Sequence, residues 1–162
     1  MSPSRSPCVS LLLRKLNTSY SEITTELVNK IHEQFEKKSS SFHSMIQDAI
    51  GSRFIETYLF IAPANLLVDH YFEKHILTNL VAYSKHIYAN YPIQALLKYR
   101  LENEPELRVL YDSLVNNLSS IIDLHSDLIY KNFILIELIS LCSKSKLYDL
   151  KELIKVLNCN LF

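Results

Sequence analysis

Three short segments of the chain carry polar or planar side chains at the same spacing, i, i+1 and i+4. The three sets are Ser52/Arg53/Glu56, Asn90/Tyr91/Gln94 and Asn132/Phe133/Ile136. Positions i and i+4 lie one turn apart on the same face of a helix, so two polar groups there can address the edge of one nucleobase. The residue at i+1 lies beside them and can offer a flat surface between successive bases.

The first set has the chemistry to bind guanine. Glu56 is an acceptor with two oxygens, and the Watson–Crick edge of guanine offers two donors, at N1 and N2. Ser52 can add a contact, and the guanidinium of Arg53 can stack on a base.

The second set has the chemistry to bind uracil. Asn90 and Gln94 each carry donors and acceptors, which suits the acceptor–donor–acceptor edge of that base. The ring of Tyr91 can stack between bases, which is worth roughly 1–3 kcal/mol.

The third set departs from this pattern. Asn132 and Phe133 are acceptable at their positions, but the side chain of Ile136 cannot form a hydrogen bond with a base edge. We expect this unit either to stack without reading a base or to bind none.

These side chains must be positioned by helices. The chain has 162 residues, 48% of them hydrophobic, which is enough for a sizeable core. Gly51 is the only glycine, whereas β-rich proteins need glycine at hairpin turns and bulges. The sequence therefore predicts an all-α fold.

Apolar residues recur in register with the polar sets. The matching positions are Ile55/Ile93/Leu135, Tyr58/Leu96/Leu138 and Leu59/Leu97/Ile139. Each unit thus presents an i, i+3, i+4 stripe, which predicts one buried helix face repeated three times. The matching segments begin at residues 51, 89 and 131, so they are 38 and 42 residues apart, which is typical of helical repeats with variable loops.

Each segment is flanked by two further amphipathic stretches, which predicts three helices per unit. The preceding helices are expected at 42–49, 74–84 and 118–124, and the following ones at 64–72, 105–116 and 147–157. The whole chain, 1–162, is then one α-solenoid domain with three full repeats, at 42–72, 74–116 and 118–158. A partial repeat at 6–38 precedes them, so the chain is expected to start inside a repeat. In that partial repeat, Ser6, Pro7 and Ser10 fall at positions i, i+1 and i+4. This set is degenerate, because it does not match the other sets.

The pattern resembles the Pumilio (PUF) repeat family, in which one repeat reads one base with two or three side chains. The stretches Gln47–Thr57 and Ala89–Gln94, with the Ser-Pro opening of the first helix, are most similar to the nucleolar branch, the "nucleolar protein nine" type. By the pairing rules of the family, the first set implies guanine and the second uracil. The resemblance implies a nucleolar protein that binds precursor ribosomal RNA in small-subunit maturation. It implies no enzymatic activity, no cofactor and no small-molecule substrate, and pre-ribosomal proteins are possible further partners.

The zero net charge of the chain leaves functions other than pre-ribosomal RNA binding to be considered. The chain has 17 basic and 17 acidic side chains, and zero net charge does not favour a nucleic-acid binder. Local positive charge would have to come from residues such as Lys98, Arg100 and Lys131. The alternatives are a helical-repeat scaffold that binds proteins, and a Pumilio-type mRNA regulator in the cytoplasm.

Enzyme, metal and membrane interpretations have little support. One glycine cannot build a phosphate-binding loop. His70 and His75 are not spaced i, i+4, and we expect them to be helix-surface histidines rather than metal ligands. Cys142 is expected to be a buried core residue, and the sequence does not decide whether Cys159 is modified. No apolar run reaches transmembrane length.

Overall fold

The computed structural model describes residues 21–63, 70–99, 101, 108–122, 132–145 and 148–161, together with the isolated positions 11 and 15. Every regular element in these residues is helical, so the prediction of an all-α fold is confirmed. The α-helices are α1 (Ser21–Lys37), α2 (Ser39–Ile46), α3 (Gly51–Ile61), α4 (His70–His75), α5 (Leu80–Lys85), α6 (Asn90–Tyr99), α7 (Arg108–Asn116), α8 (Leu118–Ile121), α9 (Phe133–Lys144) and α10 (Leu150–Leu161), with a 3₁₀ helix at Leu77–Asn79.

The middle helices of the three predicted units lie side by side. Helix α6 packs against α3 on one side and against α9 on the other. Helices α2, α5 and α10 pack against α3, α6 and α9 respectively, and α8 contacts α5, α7 and α10. The buried apolar side chains form one continuous core that extends from Val28 to Leu153. The row α3–α6–α9 is the part of the solenoid that carries the three polar sets.

Helix α1 joins this core through aromatic packing. Phe35 meets the rings of Phe42 and Tyr58 edge to face, with centroid distances of 5.4 and 5.5 Å. The Tyr58 hydroxyl is 3.0 Å from the Nδ1 atom of His32. Such aromatic pairs add to the free energy of burying apolar area, so they tie α1 and α2 to α3.

A second aromatic cluster ties the C-terminal helices together. The rings of Tyr111 and Tyr148 are 4.6 Å apart, and the Tyr148 hydroxyl donates a 3.0 Å hydrogen bond to the carbonyl of Leu101. Cys142 is buried in α9 and shares a 3.4 Å hydrogen bond with the Tyr111 hydroxyl, so its predicted place in the core is confirmed. Burial raises the pKa of the Tyr111 hydroxyl, which stays neutral.

Equivalent side chains start α3 and α6. The carboxylate of Asp48 accepts hydrogen bonds from the backbone N–H groups of Ile50 (2.9 Å) and Gly51 (2.7 Å). In the next unit, Nδ1 of His86 accepts from the N–H groups two and three residues further on, at 3.1 and 3.2 Å. N–H groups at the start of a helix lack intrahelical partners, so both side chains stabilise the turn from which their helix begins.

The Asp48 cap predicts a pH dependence of stability. Hydrogen bonds from Gly51 and then Ile50 lower the pKa of the Asp48 carboxyl. A lowered folded-state pKa contributes stability above the ordinary carboxyl pKa, and this contribution is lost as pH falls through the folded value. We expect the urea midpoint of Asp48→Asn to fall less than that of the wild type between about pH 5 and pH 2. Identical pH profiles for the two proteins would contradict this assignment.

The apolar stripe predicted on α9 is only partly buried, which corrects that expectation, and α10 also exposes an apolar residue. Ile139 is 42% exposed and Ile154 is 46% exposed. Helix α9 instead buries Ile134, Leu138 and Leu141. Helix α6 packs against one side of α3, and α9 packs against one side of α6. Among the described residues, no further helix of the row packs against α9.

Two further expectations change with the fold. The single helix expected over 74–84 is divided, because the 3₁₀ turn Leu77–Asn79 lies between α4 and α5. His75 is 1% exposed and packs 5.9 Å from the Phe42 ring and 5.5 Å from the His43 ring, so it is a core residue and not a surface histidine. In the described part of the chain, no group of three His, Cys, Asp or Glu side chains could hold a metal ion, and no helix there has the length and apolarity to cross a membrane.

Candidate nucleic-acid interface

A polar groove of about 120 Å³ runs across α3, α6 and α9, and we call it the central groove. It brings together four of the residues predicted from the sequence, two from each of the first two sets. Its lining consists of Arg53, Glu56, Tyr91, Gln94, Ala95, Lys98, Tyr99 and Glu137.

Arg53 links the first two units. Its Nη1 donates to Oε2 of Glu56 at 3.1 Å, and its guanidinium carbon lies 4.5 Å from the centroid of the Tyr91 ring. The arginine side chain is 56% exposed and that of Glu56 is 17% exposed, so the pair lies at the groove wall. The two i+1 residues, Arg53 and Tyr91, are therefore in cation–π contact, and they come from successive units.

The two residues at position i are buried beneath the groove. Ser52 is 1% exposed and Asn90 is fully buried. The Ser52 hydroxyl donates to the carbonyl of Ala49 at 3.4 Å. The amide Nδ2 of Asn90 donates to the carbonyls of His86 (2.6 Å) and Ile87 (3.1 Å). In this conformation both side chains stabilise the turn before their helix rather than facing the groove.

Asn90 also orients Gln94. The Nε2 group of Gln94 donates to Oδ1 of Asn90, one turn earlier on the same helix. This uses one of the two N–H bonds of the Gln94 amide and leaves the other N–H and the carbonyl for a ligand. A buried, fully hydrogen-bonded asparagine therefore holds a half-buried glutamine at the groove wall.

The third set is not brought into the groove. Asn132 immediately precedes α9 and is half-buried, as is Phe133. Ile136 is 53% exposed, and it is not among the residues that line the groove. Glu137, the next residue along α9, lines the groove instead.

The groove carries balanced charge. Of the three cations expected to supply positive charge, Lys98 is exposed and lines the groove, whereas Arg100 and Lys131 lie outside the described residues. The degenerate set Ser6, Pro7 and Ser10 also lies outside them. Two acidic side chains, Glu56 and Glu137, offset the groove cations.

Sequence reasoning missed Glu137, Tyr99 and Phe60. Tyr99 lines the groove and meets the ring of Phe60 edge to face at 5.7 Å. A signal for this pair was present, since both are large aromatic residues near the ends of matching segments. No periodicity argument places Glu137 in the groove, because its position depends on how α9 is rotated against α6.

Comparison with protein families gave a match over almost the whole chain. The family model described as the NOP9-like PUF repeat domain matches residues 1–160. Searches of curated proteins and of solved structures gave no match.

Proposed function

Since this chain belongs to the NOP9-like PUF repeat domain family, we propose that it binds single-stranded RNA in the central groove and reads two bases there. PUF repeats are RNA-binding helical repeats in which each repeat addresses one base. The observation that carries the proposal is the contact between Arg53 and Tyr91, two planar side chains from successive units. The residue boundaries of the units, at 42–72, 74–116 and 118–158, belong to the same proposal.

Stacking is the first element of the proposed recognition. The guanidinium carbon of Arg53 is 4.5 Å from the Tyr91 centroid, whereas a base between two planar groups needs about 7 Å, twice a contact distance of about 3.5 Å. RNA binding therefore separates these two side chains and replaces their mutual contact with two base contacts. Arg53 retains Glu56 as a partner that can guide it into the new position.

Edge recognition is the second element. The two carboxylate oxygens of Glu56 accept from N1–H and N2–H of guanine. The carbonyl and remaining N–H of Gln94 form a donor–acceptor pair that suits the edge of uracil. Ser52 and Asn90 act beneath the groove in this proposal: Asn90 positions Gln94, and Ser52 stabilises the turn that presents Arg53. The half-buried Asn132 and Phe133 would contribute only to stacking.

The biological setting follows the family. We infer that the RNA is precursor ribosomal RNA, that the step is small-subunit maturation and that the protein acts in the nucleolus. Family membership supports this setting, and the chemistry of the groove supports RNA of any origin. Zero net charge favours a protein-binding scaffold as the second candidate function, and the experiment below distinguishes the two.

The test is the base preference of Glu56→Gln. We expect wild type to prefer RNAs with GU or UG in a polycytidine background over the same RNAs with adenine in place of guanine. The variant should lose about fivefold or more of that preference, since a neutral amide offers one acceptor where the carboxylate has two. Fluorescence anisotropy at low salt measures both affinities.

Glu26→Gln is the matched control. It breaks an exposed i,i+4 pair with Lys30 on α1, outside the groove, and should leave the preference unchanged. Two results would reject the proposal that the groove distinguishes bases and would favour a protein-binding scaffold. One is that both variants and the wild type bind all the RNAs equally, and the other is that none binds at low salt.

A further inference from the structure

An exposed aromatic pair lies at the C-terminal ends of α3 and α6. Phe60 is 38% exposed and Tyr99 is 46% exposed, although each is a large side chain that is normally buried. Their rings meet at an angle of 89° with centroids 5.7 Å apart. The two residues come from different helices of the row, so the packing of α3 on α6 creates this surface. We call it the aromatic shelf.

A cation lies over one ring of the aromatic shelf, where a stacking base would displace it toward the phosphate. Nζ of Lys98 lies 5.2 Å from the centroid of the Tyr99 ring. Exposed aromatic rings next to an ammonium group are the two components of a sequence-tolerant nucleotide site, since the ring stacks on the base and the cation neutralises the phosphate. A protein ligand would more commonly need a larger apolar area or a deeper pocket than one edge-to-face pair provides.

The aromatic shelf is continuous with the central groove. Lys98 and Tyr99 line the same cavity as Tyr91 and Gln94. Lys98 follows Gln94 by four residues on α6, so it lies one turn further along the same helix face. A strand whose bases occupy the groove would therefore extend its backbone past Lys98 and place its next nucleotide at Tyr99.

We propose that Tyr99, Phe60 and Lys98 form an additional nucleotide site that holds one base outside the two read by Glu56 and Gln94. This inference rests on the proposed function, because the same RNA strand must occupy the groove. The shelf has rings and a cation but offers few groups that could distinguish one base edge from another. It therefore adds affinity without adding sequence preference.

The test compares RNAs of increasing length with single variants. Wild type should bind an RNA extended by one or two nucleotides beyond the GU or UG core about fivefold or more tightly than the core alone, whichever base is added. Tyr99→Ala should remove that gain, so that the variant binds the extended RNA no more tightly than the core RNA. Lys98→Ala should reduce the slope of log Kd against the logarithm of salt concentration by about one, the value expected for one lost phosphate contact.

Tyr88→Ala is the matched control, because Tyr88 is also exposed (37%) but does not line the groove. An abasic nucleotide at the extension should abolish the gain in wild type, since stacking needs the base. As a measurement that does not depend on variant stability, 5-iodouracil at the extension should photocrosslink to Tyr99 or Phe60 in the wild-type chain.

The two proposals fail in different ways. If Tyr99→Ala keeps the full gain, or if crosslinks map only to Tyr91, the aromatic shelf is not a nucleotide site, while base reading in the groove stands. If Glu56→Gln leaves the base preference of the core unchanged, the proposed function fails whatever the shelf variants do.

Discussion

Replacing Tyr91 with alanine is expected to weaken binding of a short single-stranded RNA by about 5- to 160-fold, the equivalent of roughly 1–3 kcal/mol for one lost stacking contact. Tyr91 lies in the centre of the groove, where it contacts Arg53 and follows the buried Asn90. Its removal deletes one of the two planar surfaces that enclose a base in the proposed complex. The effect should therefore exceed that of changing a single hydrogen-bonding partner such as Glu56.

Anisotropy titrations at fixed low salt measure this loss. Tyr91→Phe is the matched control, because it retains the ring and should bind within about twofold of wild type if stacking is what matters. Thermal unfolding of both variants checks that α6 is intact. Unchanged affinity in Tyr91→Ala, with a wild-type melting temperature, would show that no base stacks at this position.

Replacing Gly51 with alanine is expected to destabilise the chain by about 1–3 kcal/mol, the usual cost of inserting a methyl group into a packed site. A Cβ on Gly51 would lie 2.9 Å from Cα of Met45 and closer still to the carbonyl oxygen of Met45. These are backbone atoms at the end of α2, so no side-chain rotation relieves the contact. The higher helix propensity of alanine, about 1 kcal/mol, offsets only part of this cost.

Chemical denaturation measures the change, and Ala89 supplies the reciprocal control. Ala89 occupies the same register position in the second unit and is fully buried, so a Cβ is accommodated there. Ala89→Gly should destabilise by about 0.5–1 kcal/mol and not stabilise. A Gly51→Ala variant at least as stable as wild type would show that α2 and α3 can move apart at no cost.

Local sequence patterns were sufficient for much of the fold. Helix α1 spans Ser21–Lys37, inside the partial repeat predicted at 6–38, and its interior follows from short-range periodicity and i,i+4 ion pairs. The positions at which helices begin were predicted less accurately. Asp48 lies within the stretch Gln47–Thr57 that carries the family resemblance, but only the coordinates show that it accepts from the N–H groups of Ile50 and Gly51 at the start of α3.

The candidate site was predicted in part. Arg53, Glu56, Tyr91 and Gln94 were identified from spacing alone, and all four line the central groove. Their assignment to bases remains a prediction. Spacing did not distinguish residues that face the groove from residues that support it, because a polar side chain one turn away can instead donate to nearby carbonyls, as Ser52 does.

The sequence by itself determined that this chain forms helices, that three of them carry matching polar and apolar positions, and that two of the polar sets suit base recognition. These properties depend on residues within one or two turns of each other. Tertiary structure decided that Ser52 and Asn90 are buried, that Glu137 replaces Ile136 at the groove and that Tyr99 meets Phe60. Those outcomes depend on how helices from different units rotate and pack, and such contacts join residues about 40 positions apart, beyond the range of any local periodicity.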